Sequence, residues 1–352
     1  MSIYDDTIAV RKGEDFDTAK VEHYLREQLP ELSGDPLEVR QFPTGASNLT
    51  YLLRIGNWEG VLRRPPFGPV APKAHDMQRE SALLACIHPV FALAPRPYFF
   101  CGDTSIIGVP FYVMERRKGI IINDAFPAGI PVHTELCQHL SHLTVDTLVQ
   151  IHNIDWKAAG LATFGHPEGF LERQVKGWIE RYSRAQTDDI AEVEQLTRWL
   201  TEHIPASPPP TLIHNDFKLN NILLSQPDLQ HAVAVLDWEM ATIGDPLFDL
   251  AVSLSYWVTE DDPAEIQTSL PAVTTTPGFL SREEFMEAYA RKSGRDLSSM
   301  NFYLAFAYFK LAVIIQQIYV RWKRGQTQDE RFSTYGSHVQ PMVAHAIRLA
   351  KK

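Results

Sequence analysis

The sequence predicts an α+β chain of two lobes, a small antiparallel-sheet lobe over residues 1–116 and a larger, mainly helical lobe over residues 117–352. Three observations carry this expectation. Between residues 37 and 114, short β-branched and aromatic runs alternate with Gly, Pro and Asn turns. From Thr134 onward, apolar residues recur at helical spacing. Between residues 211 and 250, two short apolar runs each end in polar residues that apolar packing does not require.

In chain order, residues 16–29 read as a helix, with Val21, Tyr24, Leu25 and Leu29 on one stripe and Pro30 as its stop. Strands follow over 37–42, 49–55 and 61–64, the first corner being the hexapeptide Pro43-Thr44-Gly45-Ala46-Ser47-Asn48 and the halt being Pro65-Pro66. A helix over 77–88 turns Leu83, Leu84 and Ile87 to the core and carries Glu80. Strands over 98–101 and 109–114 lead into Glu115-Arg116-Arg117-Lys118-Gly119, the charged break where the lobes divide.

The second lobe begins with a helix whose stripe is Leu136, Leu140, Leu143, Leu148 and Ile151. Cys137, His139 and His142 lie on it, but no carboxylate or second cysteine completes a metal set. Further helices are expected over 170–184, 192–203, 250–258, 281–293, 302–324 and 336–350, and an exposed Pro- and Thr-rich loop over 261–278. Ser281 with Glu283 and Glu284 marks a helix start. Residues 302–322 are long enough to cross a bilayer, yet Lys310, Gln316 and Gln317 interrupt the middle, so a buried helix is expected and no membrane partner.

The net charge of −10 argues against nucleic acid as a partner, since such surfaces are basic. Cys86, Cys101 and Cys137 form no CxxC pair, and the N-terminus lacks the apolar core of a signal peptide. Both fit a cytoplasmic location. Oligomeric state is left open by helices that serve equally as core or interface.

The chemistry-bearing stretch reads His214-Asn215-Asp216-Phe217-Lys218-Leu219-Asn220-Asn221, then Asp237-Trp238-Glu239 after a second apolar run, then Gly244-Asp245-Pro246-Leu247-Phe248-Asp249. The pattern H-x-D-x-K-x-x-N followed by Asp237-Trp238-Glu239 resembles the aminoglycoside phosphotransferase family, relatives of choline and homoserine kinases with a bilobal protein-kinase-like fold. GASNLTYLL, VLRRPP, MQRESALL and FYVMER occur upstream in the order that fold requires. The details are similar to the kinase domains associated with acyl-CoA dehydrogenases, which implies a hydroxyacyl substrate.

What the resemblance implies is an ATP- and Mg2+-dependent transfer of phosphate to a small-molecule hydroxyl. Asp216 would orient the hydroxyl and accept its proton, and Lys218 would neutralise the transferring phosphate. Asn221 and Asp237 would hold magnesium through oxygen. Gly45, Ser47 and Asn48 would form a lid over the nucleotide phosphates. Arg63, in the place of the usual strand lysine, would grip phosphate oxygens with Glu80 orienting it. Glu115, at the hinge, would offer backbone groups to the base. His214, Asp245 and Asp249 are expected to brace the loop. Asn215 stands where the family often has glycine. Alternative readings are an aminoglycoside, choline or other amino-alcohol kinase, served by Tyr256, Trp257, Asp261 and Asp262, and a catalytically silent nucleotide-binding pseudokinase. The cationic helix over 170–184 would suit a CoA thioester.

Overall fold

The computed structural model describes residues 6–43, 48–67, 75–327 and 329–351. The chain forms two units: residues 1–119 with 233–239, and residues 120–232 with 240–352. The division falls three residues beyond the boundary expected after residue 116, and residues 233–239 group with the first unit rather than the second.

In the first unit, α1 (Thr18–Gln28) starts on Asp17, whose carboxylate accepts the Ala19 and Lys20 amides. Strands β1 (Glu38–Gln41), β2 (Leu49–Ile55) and β3 (Trp58–Arg64) follow, then α2 (Met77–Ile87), β4 (Pro97–Cys101), the single turn α3 (Thr104–Ile107) and β5 (Phe111–Glu115). The five strands form one antiparallel sheet in the order β1-β2-β3-β5-β4. Strand alternation explains its two faces. Tyr51, Leu53, Ile55, Leu62, Phe111 and Val113 pack with Val21 and Leu25 of α1. Arg63 and Tyr112, paired across β3 and β5, point to the opposite face.

The second unit is helical: α4 (Thr134–His152), α5 (Phe170–Ala185) and α6 (Ala191–Glu202), then short strands β6 (Thr211–Ile213), β7 (Ile222–Leu224), β8 (Ala232–Val235, crossing back into the first unit) and β9 (Thr242–Gly244). Strands β6 and β9 pair antiparallel, which clamps the two ends of the polar stretch together. Beyond them run α7 (Pro246–Ser255), α8 (Ala264–Ser269), α9 (Arg282–Ser293), α10 (Met300–Lys323) and α11 (Gly336–Ala350).

Helix α7 begins four residues earlier than the apolar spacing suggested. Asp245 caps it, accepting the Leu247 and Phe248 amides, and Pro246 occupies the first turn, where its missing N–H costs nothing. The stretch over 261–278 is not a plain loop: it holds α8, and Ile266 and Val273 anchor it in the core. Its Pro and Thr content set the expectation, and these two apolar side chains overturn it. Helix α10 is long and apolar enough to span a bilayer, yet 78 % of its most apolar window is buried in the unit, where it packs against α5, α7 and α11.

Candidate active site

The first unit assembles a cluster of buried charge. Arg63 Nη1 donates to Glu80 Oε1 at 2.9 Å, and Nη2 donates to Asp237 Oδ1 at 2.9 Å. Glu80 is 1 % exposed and Arg63 8 %. Charges at that depth persist only when paired. Burial, with Asp237 and Glu239 nearby, pushes the Glu80 carboxyl up to about 7 even though Arg63 pulls it down. Burial works against the Arg63 charge, but Glu80, Tyr112 and Asp237 together raise its pKa above the ordinary guanidinium value.

Glu239 joins the same cluster. Its Oε2 accepts from Asn48 Nδ2 at 2.6 Å and lies 3.9 Å from Arg63 Nη2. His75 Nδ1 meets Asn48 Oδ1 at 2.9 Å, and Arg79 Nη1 donates to the Glu239 carbonyl at 3.3 Å. Trp238 between the two acids is 1 % exposed; its indole N–H donates to the Val235 carbonyl and its ring meets Phe91 edge-on. That anchor sets the directions in which Asp237 and Glu239 leave the chain. Asp237 itself has φ +67°, a left-handed conformation that Asp tolerates better than most residues.

Arg63, Asn48 and Glu115 each have partners within the first unit. Both Nη atoms of Arg63 donate to carboxylates, and its buried Nε has no hydrogen-bond partner among the described residues. Asn48 is 3 % exposed and turned to Glu239 and His75, while Gly45 and Ser47 lie outside the described residues. The Glu115 amide donates to the Arg96 carbonyl, and its carboxylate accepts the Arg96 amide and pairs with Arg117. That amide is therefore used within the sheet.

The second unit builds the loop that follows β6. His214 and Asn215 donate their amides to the buried carboxylate of Asp249, at 2.7 and 2.6 Å. Asp249 stands on the first turn of α7, and His152 Nε2 lies 3.1 Å away, its Nδ1 meeting the Tyr289 hydroxyl at 2.7 Å. Burial alone would raise the Asp249 pKa; the His152 hydrogen bond and charge and the His214 contacts hold it below the ordinary range. Asp245 accepts from the Tyr303 hydroxyl at 2.8 Å. Both acids are structural braces, and His214 is wholly buried against Phe217.

Asp216 projects from this braced loop with its side chain 25 % exposed. Lys218 Nζ lies 3.0 Å from Asp216 Oδ2 and 4.6 Å from the centroid of the Tyr256 ring. Asn221, in a single 3-10 turn, donates Nδ2 to the Asp216 carbonyl at 2.8 Å and more weakly to Oδ2 at 3.4 Å. An amide held through its nitrogen presents its oxygen on the other side, so the Asn221 Oδ1 suits a hard cation. The carboxylate of Asp237 has the same oxygen chemistry. Among the described residues no group of three His, Cys, Asp or Glu side chains is placed to hold a metal ion. Taken separately, an amide oxygen and a carboxylate oxygen are both hard donors of the kind magnesium accepts.

A cavity of about 300 Å³ lies within the second unit, lined by Lys218, Asn220, Ser253, Tyr256, Trp257 and Thr274, with Asn123 and Asp124 also on its wall. Of the acids suggested for an amine pocket, Asp262 is already bound by both Nη atoms of Arg282, and the Trp257 indole donates to the Leu280 carbonyl. On α5, Arg173 donates to main-chain carbonyls and Arg181 covers the Trp178 ring.

Comparisons with known proteins bear on the family and the fold. The profile of the Phosphotransferase enzyme family matches residues 38–303. "Acyl-CoA dehydrogenase family member 11" of Gallus gallus is 34 % identical over all of this chain, which covers 46 % of that protein. "Acyl-CoA dehydrogenase family member 10" of Mus musculus is 34 % identical over 99 % of this chain, which covers 32 % of it. The chain therefore spans less than half the length of these relatives. Among solved structures, a Ralstonia eutropha protein designated an aminoglycoside phosphotransferase superposes with TM-score 0.82 at 26 % identity, covering 96 % of this chain and 99 % of that one. Aminoglycoside phosphotransferase APH(4)-Ia, solved with AMP-PNP and hygromycin B, gives TM-score 0.61 at 16 % identity over 94 % and 98 % of the two chains, and so shares the fold.

Proposed function

The chain belongs to the Phosphotransferase enzyme family, and from that premise we propose that it moves the γ-phosphoryl group of ATP, with Mg2+, to the hydroxyl of a hydroxyacyl-CoA. The observation that carries the transfer chemistry is Asp216, a partly exposed carboxylate on a loop braced by buried Asp249, with Lys218 at 3.0 Å. Asp216 takes the proton of the acceptor hydroxyl as its oxygen bonds to phosphorus and the bond from phosphorus to the β,γ-bridging oxygen breaks, which releases ADP. Lys218 meets the charge on the transferring phosphoryl oxygens. Magnesium, when bound, neutralises phosphate charge; Asn221 Oδ1 and the Asp237 carboxylate are the oxygens assigned to it.

The acceptor assignment is supported by the names of the curated relatives, which point to acyl-CoA chemistry. Two further observations support it over an amine. The cavity presents the Lys218 cation and aromatic rings beside the single carboxylate of Asp124, and Asp262, one of the acids suggested for an amine, is neutralised by Arg282. We assign the cavity to the hydroxyl-bearing part of the acceptor.

The test is phosphate transfer from labelled ATP to a panel of hydroxyacyl-CoAs, amino alcohols and aminoglycosides. Magnesium-dependent labelling of a hydroxyacyl-CoA is expected. Labelling of an amine alone would reassign the acceptor, and binding of ATP without transfer to any acceptor or to water would make the chain a pseudokinase.

A further inference from the structure

Lys310 is the charge that breaks the apolar run of α10, and the fold buries it to 5 % exposure. Its ammonium lies 5.4 Å from the centroid of the Phe248 ring and 5.7 Å from that of Trp178. A cation at this depth costs free energy unless strong partners compensate it. Burial drives its pKa down to about 8, against the pull of Asp216 and Asp249. The surrounding core does not require an ammonium, since an unbranched methionine fills a similar space among rings and aliphatic groups.

The hydrogen bonds of the ammonium converge on a single residue. Nζ donates to the Asn215 carbonyl at 3.0 Å and to Asn215 Oδ1 at 3.3 Å. Asn215 has φ +66°, a left-handed conformation unfavourable for most side chains. Its N–H is taken by Asp249 at 2.6 Å. Asn215 is thus held from both ends, its amide by a carboxylate of α7 and its carbonyl by the ammonium of α10. The held carbonyl belongs to the peptide plane that ends at the nitrogen and Cα of Asp216. Rotation of that plane would swing the Asp216 side chain with it.

We propose that Lys310 is a positioning residue for phosphoryl transfer: by gripping the carbonyl and side-chain oxygen of Asn215 it fixes the 215–216 peptide plane, and through it the aim of the Asp216 carboxylate. The inference rests on Asp216 acting as the base, as proposed above. It also accounts for asparagine at this place in the loop. Glycine would adopt the same backbone, but only a side-chain oxygen gives the ammonium its second acceptor. The charged groups facing Lys310 are Asp216 and Lys218 of the loop, Asp249 of α7 and Arg181 of α5.

The test compares Lys310→Met, Lys310→Arg and the wild type by kcat, KM for ATP and hydrogen exchange over residues 214–218, at pH values on both sides of about 8. Lys310→Met is expected to lower kcat about 10- to 100-fold, the scale of a misaimed catalytic group. Its KM for ATP should change by less than about twofold, because uniform binding is untouched. Lys310→Arg should recover part of the loss. The wild-type kcat should fall as pH rises through about 8, and that limb should be missing in Lys310→Met. Wild-type kcat and an unchanged pH profile in folded Lys310→Met overturn the proposal, as does a loss in which kcat, KM and melting temperature all shift together. Should Lys310→Met not fold, Asn215→Gly keeps the backbone and removes one acceptor; a drop in kcat of about threefold supports the grip, and unchanged kcat overturns it. If the wild type transfers no phosphate at all, the proposed function fails by itself. Hydrogen exchange then still decides, since faster exchange at 215–217 in Lys310→Met supports the clamp and equal exchange removes it.

Discussion

Arg63 and Asp237, 174 residues apart in the chain, share a hydrogen bond of 2.9 Å inside the first unit. The other arm of the same guanidinium holds Glu80, so one cation keeps two acids in place. Arg63→Ala leaves Glu80 buried without a counter-charge and should cost about 3–5 kcal/mol in urea unfolding. Arg63→Lys should cost less but more than zero, because a single ammonium lacks the fork that reaches both acids. Equal stability of all three proteins would show that the pairing carries no weight.

Glu80 also gives the fold a pH dependence with a definite sign. Its carboxyl is raised from 4.5 to about 7, so between those values the folded chain holds a proton that the unfolded chain releases. The stability contribution is complete below pH 4.5 and is lost as pH rises through about 7. Denaturation midpoints across this window should slope downward for the wild type and flatten in Glu80→Gln.

Asp216→Asn preserves the shape of the loop and removes the proton acceptor. Its kcat should fall roughly 10²- to 10⁴-fold, the usual scale for a general base, with ATP affinity unchanged by calorimetry. Turnover at the wild-type rate would take Asp216 out of the chemistry.

Asp237→Asn and Asn221→Leu address the metal. Each should weaken magnesium-dependent nucleotide binding by about tenfold or more, roughly 1.4 kcal/mol, while binding without magnesium changes little. Calorimetry with and without the ion separates the two effects.

Tyr256→Ala opens the cavity beside Lys218 and removes the ring under its ammonium. The KM for the acceptor should rise about tenfold while the KM for ATP stays near its wild-type value, as expected for a contact made only to the acceptor. A change confined to ATP would move the cavity to the nucleotide.

The sequence made the lobes legible because strand alternation and helical spacing are local signals. It also singled out Arg63, Glu80 and Asp237, which the first unit brings together, and Asp216, Lys218 and Asn221, which the second brings together. Glu239 and His75 were missed. Their contacts with Asn48 join distant parts of the chain and leave no periodic trace, although Glu239 sits two residues from Asp237 in the Asp237-Trp238-Glu239 motif. In the sequence Lys310 stands out only as a charge that opposes membrane insertion. Its partner Asn215 lies 95 residues earlier, so its purpose emerges only when α10 packs beneath the loop. The Pro- and Thr-rich stretch misled for the opposite reason: composition dominated, and the two apolar anchors Ile266 and Val273 were too sparse to form a pattern.

The excursion of residues 233–239 into the first unit makes the two halves inseparable by scissors. A gene fragment ending at Gly119 would encode every strand of the five-stranded sheet and yet be a damaged product, with Arg63 and Glu80 present and both Asp237 and Glu239 missing. Recombination that exchanges the first unit between relatives must therefore carry two cassettes, one long and one of seven residues, and a swap of the long one alone leaves the buried arginine facing a foreign partner.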